Sequence, residues 1–317
     1  MKNKVFNDCH IEGYLYEHNL TLKVSGPNSK KPGTEFISGK IDIATDNACT
    51  NIVPVHFTYV TATTSKGGPN ATFNLLKSII DENTKSIMKH GKENAHLVRV
   101  DTSIGLNEFY SDRNGTEELV SAKRNEGGFV HPLNTSDLKA NENERNTFNC
   151  DMLITNVSLK EADEEKGLPE KAIVKGCIFD FRKAILPVEF SVVNPAGIDY
   201  FMGLGASQTE PVFTRVWGNQ ISETIIKREE VASAFGDTKI KETPSTRKDF
   251  VIEGAQPEPY EWDTEESITA TELREKMAER EVALAEIKKR QDEYKASKAA
   301  AAGAPTASAP AAGAFNF

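Results

Sequence analysis

Aromatic rings and cationic side chains are interleaved through this sequence, and together they point to one kind of chemistry. A ring offers a flat face on which a nucleobase can stack, and Lys or Arg beside it can follow a chain of phosphates. In the first part of the chain the residues of this kind are Tyr14, Tyr16, His18, Lys40, His56, Tyr59 and Lys66, then Arg99, Phe109, Tyr110, Arg113, Lys123 and Arg124. In the second part they are Phe179, Arg182, Arg215, Trp217, Lys227 and Arg228. Strict alternation along a strand puts His56 and Tyr59 on opposite faces, so at most one of them meets a ligand. Arg99 and Arg215 fall at similar places in two similar segments, which implies a structural partner or a ligand for both. Phe57 and Phe190 are expected in a core.

Catalytic chemistry is not expected. There is no Walker-type loop, no HExxH and no GxSxG, and Lys66-Gly67-Gly68-Pro69 has the composition of a turn. The six histidines are dispersed, and the four cysteines, Cys9, Cys49, Cys150 and Cys177, stand singly without metal-ligand spacing. No cofactor or metal is called for, and each cysteine is expected to pack as a small hydrophobe.

The elements that must position the rings and cations are strands, arranged as a repeat. Pro54-Val55-His56-Phe57-Thr58-Tyr59-Val60 returns as Pro187-Val188-Glu189-Phe190-Ser191-Val192-Val193. In the same order, Phe6-Asn7 and Cys9 match Phe148-Asn149-Cys150, Ser38-Gly39-Lys40-Ile41 matches Lys175-Gly176-Cys177-Ile178, and Arg99-Val100 matches Arg215-Val216. Periodicity predicts strands over 5–24, 35–44 and 51–63, a helix over 71–89, and strands over 96–110 and 119–125. Three strands, a helix and two strands is the element order of a five-stranded OB barrel. The second unit repeats it with strands over 148–160, 171–182, 184–193, 212–227 and 249–253, and a short helical turn over 198–204. The fold expected is mainly β: two tandem OB-like five-stranded barrels with one short helix each, at 1–132 and 147–256, joined by a polar linker at 133–146. A Pro-rich connector and a helix follow over 257–298. The helix starts near Thr264, and Leu273, Met277, Leu284, Ile287 and Tyr294 form a heptad-like stripe on it. It either lies on the body or drives self-association. Residues 299–317 form an Ala/Pro-rich tail, read as disordered, with a Phe-Asn-Phe tip.

A net charge of −9 argues against a simple basic nucleic-acid binder. The imbalance lies outside the first repeat: residues 1–132 carry 15 basic and 15 acidic groups, residues 133–262 carry 15 and 22, and residues 263–317 carry 8 and 10. A neutral domain can still present a locally basic groove. No apolar run approaches membrane-spanning length and no signal-like leader is evident, so no membrane association is expected and a cytoplasmic location is, the host's cytoplasm if the protein is viral.

With these segments in hand, chiefly Arg215-Val216-Trp217-Gly218-Asn219 and the strands around Gly39 and Gly176, the chain resembles bacteriophage single-stranded DNA-binding proteins with tandem OB folds. The resemblance spans about residues 1–256. It implies a non-catalytic protein that protects or organises single-stranded DNA in replication, recombination or repair, with RNA as the other possible strand. Members with a flexible tail ending in Phe dock partners through it, which would give Phe315 and Phe317 a role toward replication or recombination proteins. This chain departs from that pattern, because no acidic residue follows Glu293. The competing expectation is a virion or scaffold component that uses the β-domains as protein-binding surfaces.

Overall fold

In a computed structural model, residues 5–27, 29–112, 116–162, 169–231, 239–261 and 268–303 are described. The first unit contains β1 (Asn7–His18), β2 (Thr21–Val24), β3 (Glu35–Ala44), β4 (Ile52–Thr61), α1 (Ala71–Ile80), α2 (Ile87–His90), β5 (Leu97–Ser111) and β6 (Glu118–Leu133). The second contains β7 (Asn146–Lys160), β8 (Lys171–Phe179), β9 (Ile185–Val192), α3 (Pro195–Gly203), β10 (Val212–Val231) and β11 (Lys239–Ala255), and α4 (Ala270–Gly303) follows.

Pairing turns each strand set into the same ring. In the first, β1 pairs with β3, β3 with β4, β4 with β6, β6 with β5 and β5 with β1. The second runs β7–β8–β9–β11–β10 and back to β7. The one parallel contact in each ring joins the third strand to the last, as an OB topology requires. That seam is short: two residue pairs, Val55–Asn125 and His56–Glu126, in the first ring and one, Val251–Ser191, in the second. Neither OB-like barrel is clearly closed along its length.

Alternation accounts for the cores. Ile11, Leu15, Ile41, Ile43, Val55 and Phe57 turn into the first barrel, where Phe73, Leu76 and Ile79 of α1 cover them. Asn70 starts that helix by accepting the Thr72 N–H on its side chain. The second core is built on Phe148, Cys150, Met152, Val174, Phe190 and Val216, with Ile198 and Phe201 of α3 against it. Phe57 and Phe190, at matching places in the repeated segment, are both buried.

Several boundaries differ from those expected. The first strand breaks at Asn19-Leu20, between β1 and β2. The helix over 71–89 stops at Ile80, because Glu82 takes a positive φ of 61° and the chain turns before α2. The last strand begins at Lys239, ten residues earlier than expected, as one arm of the long β10–β11 hairpin. The polar 133–146 segment is pinned rather than loose: the buried Arg145 donates to the carbonyls of Lys139 and Thr45 and to Asn47 Oδ1. None of the described helices is long and apolar enough to cross a membrane.

The barrels also pair with each other. β1 runs antiparallel to β7, with Asn7 opposite Cys150 and Cys9 opposite Phe148. Asn7 clips the junction, donating to the carbonyls of Ile104 and Phe179 and accepting the Ile104 N–H. A second seam is polar and is made by side chains. Gln220 receives Asn125 Nδ2 at 2.8 Å on its side chain and Asn146 Nδ2 at 2.7 Å on its carbonyl.

Candidate functional site

Cations and an aromatic pair share the outer face of β3, β4 and β6. Because Ile41, Val55 and Phe57 point inward, Lys40 and His56, which are ladder partners, point outward. Arg124 of β6 and Lys248 of β11 bring their charge to the same imidazole. Burial, then Arg124 and Lys40, push the His56 pKa below the usual histidine value, with Asp42 opposing. His56 is therefore held neutral at pH 7, among cations that a phosphate would counter. Two of these three cations are paired with a carboxylate: Lys40 Nζ lies 2.6 Å from Asp42 and Arg124 2.8 Å from Glu126.

Next to this basic patch is an aromatic pair. Phe36 of β3 and Tyr59 of β4 have ring centroids 4.5 Å apart with planes 35° from parallel. Tyr59 is 48% exposed, and its hydroxyl lies 3.1 Å from Ser25 Oγ. Phe36 lies four residues, about 13 Å, along β3 from Lys40. Lys23 of β2 is its ladder partner, and the loop carrying the exposed Lys30 and Lys31 follows β2. Strict alternation would have hidden Tyr59. The register shift corrects it: Ile37 pairs with Val60 but Gly39 with Phe57, so β4 carries one extra residue there. That bulge puts His56 and Tyr59 on the same face.

The corresponding face of the second barrel is neutralised and covered. Aligning Pro187 with Pro54 places Glu189 where His56 stands and Lys175 where Lys40 stands, and these two form an ion pair at 2.9 Å. Lys123 leaves the first barrel on β6 to donate to the Glu189 carbonyl, 5.2 Å from the ring centroids of both Phe190 and Phe250. Burial pushes its ammonium below the usual lysine pKa, against the pull of Asp249 and Glu189. Farther along, Leu273, Met277 and Leu284 of α4 lie over Cys177, Ile185 and Pro187, leaving a cavity of about 530 Å³. Arg280 forms an ion pair with Glu108 of β5 and donates to the Ile185 carbonyl. The Gln291 side-chain amide holds both backbone groups of Tyr110.

The remaining sequence-predicted residues divide. Phe179 is fully buried, edge-on to Phe213, and meets no ligand. Tyr110 is engaged by α4, with Lys288 over its ring. Arg215 is bound to the buried Asp151 at 2.8 Å and lies 3.8 Å over the Phe6 ring, a structural assignment. Arg99 lies 3.3 Å from Asp101. The proposed equivalence of Arg99 and Arg215 is out by two: Cys9 faces Thr102, three residues past Arg99, whereas Cys150 faces Val216, one past Arg215. Tyr14, with Lys92 over it, and Tyr16 are half-buried, and Lys66 is exposed on its turn. Trp217 is 43% exposed with its ring against Gly254, and Arg182 sits over the bare Phe181 ring. Arg113, Phe315 and Phe317 lie outside the described residues, and of Lys227 and Arg228 only the backbone register, opposite Thr243 and Glu242, is described. Sequence reasoning missed Phe36 and Lys248, and it put Tyr59, a candidate, on the face opposite His56. The run of exposed Lys around Phe36 was the signal for the first; nothing local marks the second.

A family model, YorF, matches residues 5–290. A search of curated proteins finds no match. Among solved structures the chain is similar to a single-stranded DNA binding protein from Thermus aquaticus, at 9% identity and a TM-score of 0.42 over 80% of this chain and 93% of that one. It is also similar to a replication protein A heterotrimer bound to ssDNA, at 10% identity and a TM-score of 0.19 over 80% and 66%. Both TM-scores fall below 0.5, so what this chain binds has to come from its own face.

Proposed function

The chain belongs to the YorF family, and from the β3–β4–β6 face we propose that it binds single-stranded DNA without catalysis, in replication, recombination or repair. One observation carries the reading: a Phe36–Tyr59 pair with Tyr59 half exposed and the cations Lys40 and Arg124 share one side of the first OB-like barrel, and Lys248 of the second brings its charge to His56 there. Rings of this kind take bases and cations of this kind take phosphates, and neither demands a sequence. The strand-two and strand-three face is also where such barrels hold oligonucleotides. The first barrel is the binding module. The second, with Glu189 for His56 and α4 across it, serves as its scaffold.

Fluorescence anisotropy with labelled oligo-dT and a duplex control tests this. Three phosphate contacts predict that log affinity falls against log salt with a slope of about −2, and Arg124→Ala lowers that slope by about 0.7. Equal affinity for duplex, or none for oligo-dT at low salt, refutes the proposal.

A further inference from the structure

We propose that a second stacking subsite lies in the cleft where the two barrels meet, and that a bound strand continues into it from the β3–β4 face across β6. This rests on the reading above. The cleft has a volume of about 650 Å³, and its floor is the β1–β7 pairing. Phe129 of β6 and Phe181 of the β8–β9 turn line it, 69% and 86% exposed. Five other phenylalanines, Phe148, Phe179, Phe190, Phe201 and Phe213, are less than 2% exposed, so two bare rings in one cleft stand apart. The Arg182 guanidinium sits 5.0 Å from the Phe181 centroid, as a cation beside a base would.

The route is built into β6. Arg124 on the first face and Phe129 in the cleft are five residues apart, about 17 Å of strand. Between them Gly127 and Gly128 take φ of 68° and 104°, and the ladder slips between Asp101 and Ser103. A Cβ on Gly128 would meet the Asp101 carbonyl oxygen at 2.2 Å, so the bulge needs glycine, and it re-aims the strand from one site toward the other. Charge does not define this subsite: Asp8, Asp101 and Asp180 stand with Lys183 around the cleft, and Arg99 lies against Asp101. The affinity it adds therefore comes from stacking and leaves the salt slope unchanged.

The test is anisotropy on the full chain with labelled dT8 and dT30, comparing wild type, Phe129→Ala/Phe181→Ala, Phe129→Trp/Phe181→Trp and Tyr59→Ala. The double alanine variant is expected to weaken dT30 by about tenfold or more, to leave dT8 within about twofold and to keep the salt slope, while the double tryptophan variant binds as wild type. Tyr59→Ala weakens both lengths. Unchanged dT30 binding by the double alanine variant, with Tyr59→Ala still weak, overturns the subsite, leaves the first face standing and assigns the bare rings to a protein surface. Equal losses on both lengths also overturn it. Failure of Tyr59→Ala to weaken either length removes the underlying reading instead.

Discussion

Replacing Arg280 with methionine should loosen α4 from both barrels at once. The pair it forms with Glu108 is largely out of solvent, with Arg280 17% and Glu108 9% exposed. Removing one partner of a fully buried pair costs about 3–5 kcal/mol, because the other charge is left uncompensated. Glu108 would retain the Ser121 hydroxyl, 3.1 Å away, and some water, which brings the expected cost to about 2–3 kcal/mol. Arg280→Met also gives up the bond to the Ile185 carbonyl but keeps an apolar stem over Cys177. Leu273, Met277 and Leu284 alone cover the second barrel thinly, so the loss should show first as local opening of the helix. Hydrogen exchange across 273–291 is the assay: protection should fall by about thirtyfold or more, and adding Glu108→Gln should recover much of it by removing the stranded charge. Protection in Arg280→Met equal to wild type would mean that this ion pair does not hold the helix, and the clamp argument would be wrong.

Tyr59→Ala should cost about 1–3 kcal/mol of oligo-dT affinity by anisotropy, while Tyr59→Phe, which loses only the contact to Ser25, should stay within about threefold. Binding should tighten as pH falls below the ordinary histidine value of about 6.5, because His56, held neutral by burial and its cationic neighbours, gains a charge where a phosphate would sit, and His56→Gln should flatten that part of the profile. The same depressed pKa makes the free protein lose stability as pH falls below the unfolded histidine value of about 6.5, where the unfolded chain binds the proton first; urea melts at pH 7 and 5.5 read this, and His56→Gln should reduce the difference. Gly254→Ala should displace the Trp217 ring, which a Cβ there would meet at 2.5 Å, and shift its emission to longer wavelength in a Trp262→Phe background.

The third strands were legible because two copies repeat Pro-Val-x-Phe, and the inward Val and Phe of each can be read by alternation alone. Lys40, His56 and Arg124 come together for a similar reason: all three are outward residues of adjacent strands. Tyr59 was set on the face opposite His56 because of one extra residue in β4, a defect in periodicity that depends on which partner residue skips. Long-range partners hid the rest. Nothing near Tyr110 announces Gln291, 181 residues away, and nothing near Arg215 announces that Asp151 and Phe6 occupy it. The turn at Glu82 and the early start of β11 were missed because local propensity there yields to the packing around it.

The pairing of β1 with β7 has a consequence for how the molecule behaves on dilution. Asn7 faces Cys150 and Cys9 faces Phe148, a ladder centred on Asp8 and Asn149, so each unit offers the other the same stretch of its first strand. Two separate chains joined in this way would form a two-fold dimer, and either one alone would carry a bare sheet edge. Covalent linkage makes the partnership intramolecular. The two halves cannot be titrated apart, and the junction between them persists at any concentration at which the chain itself is folded.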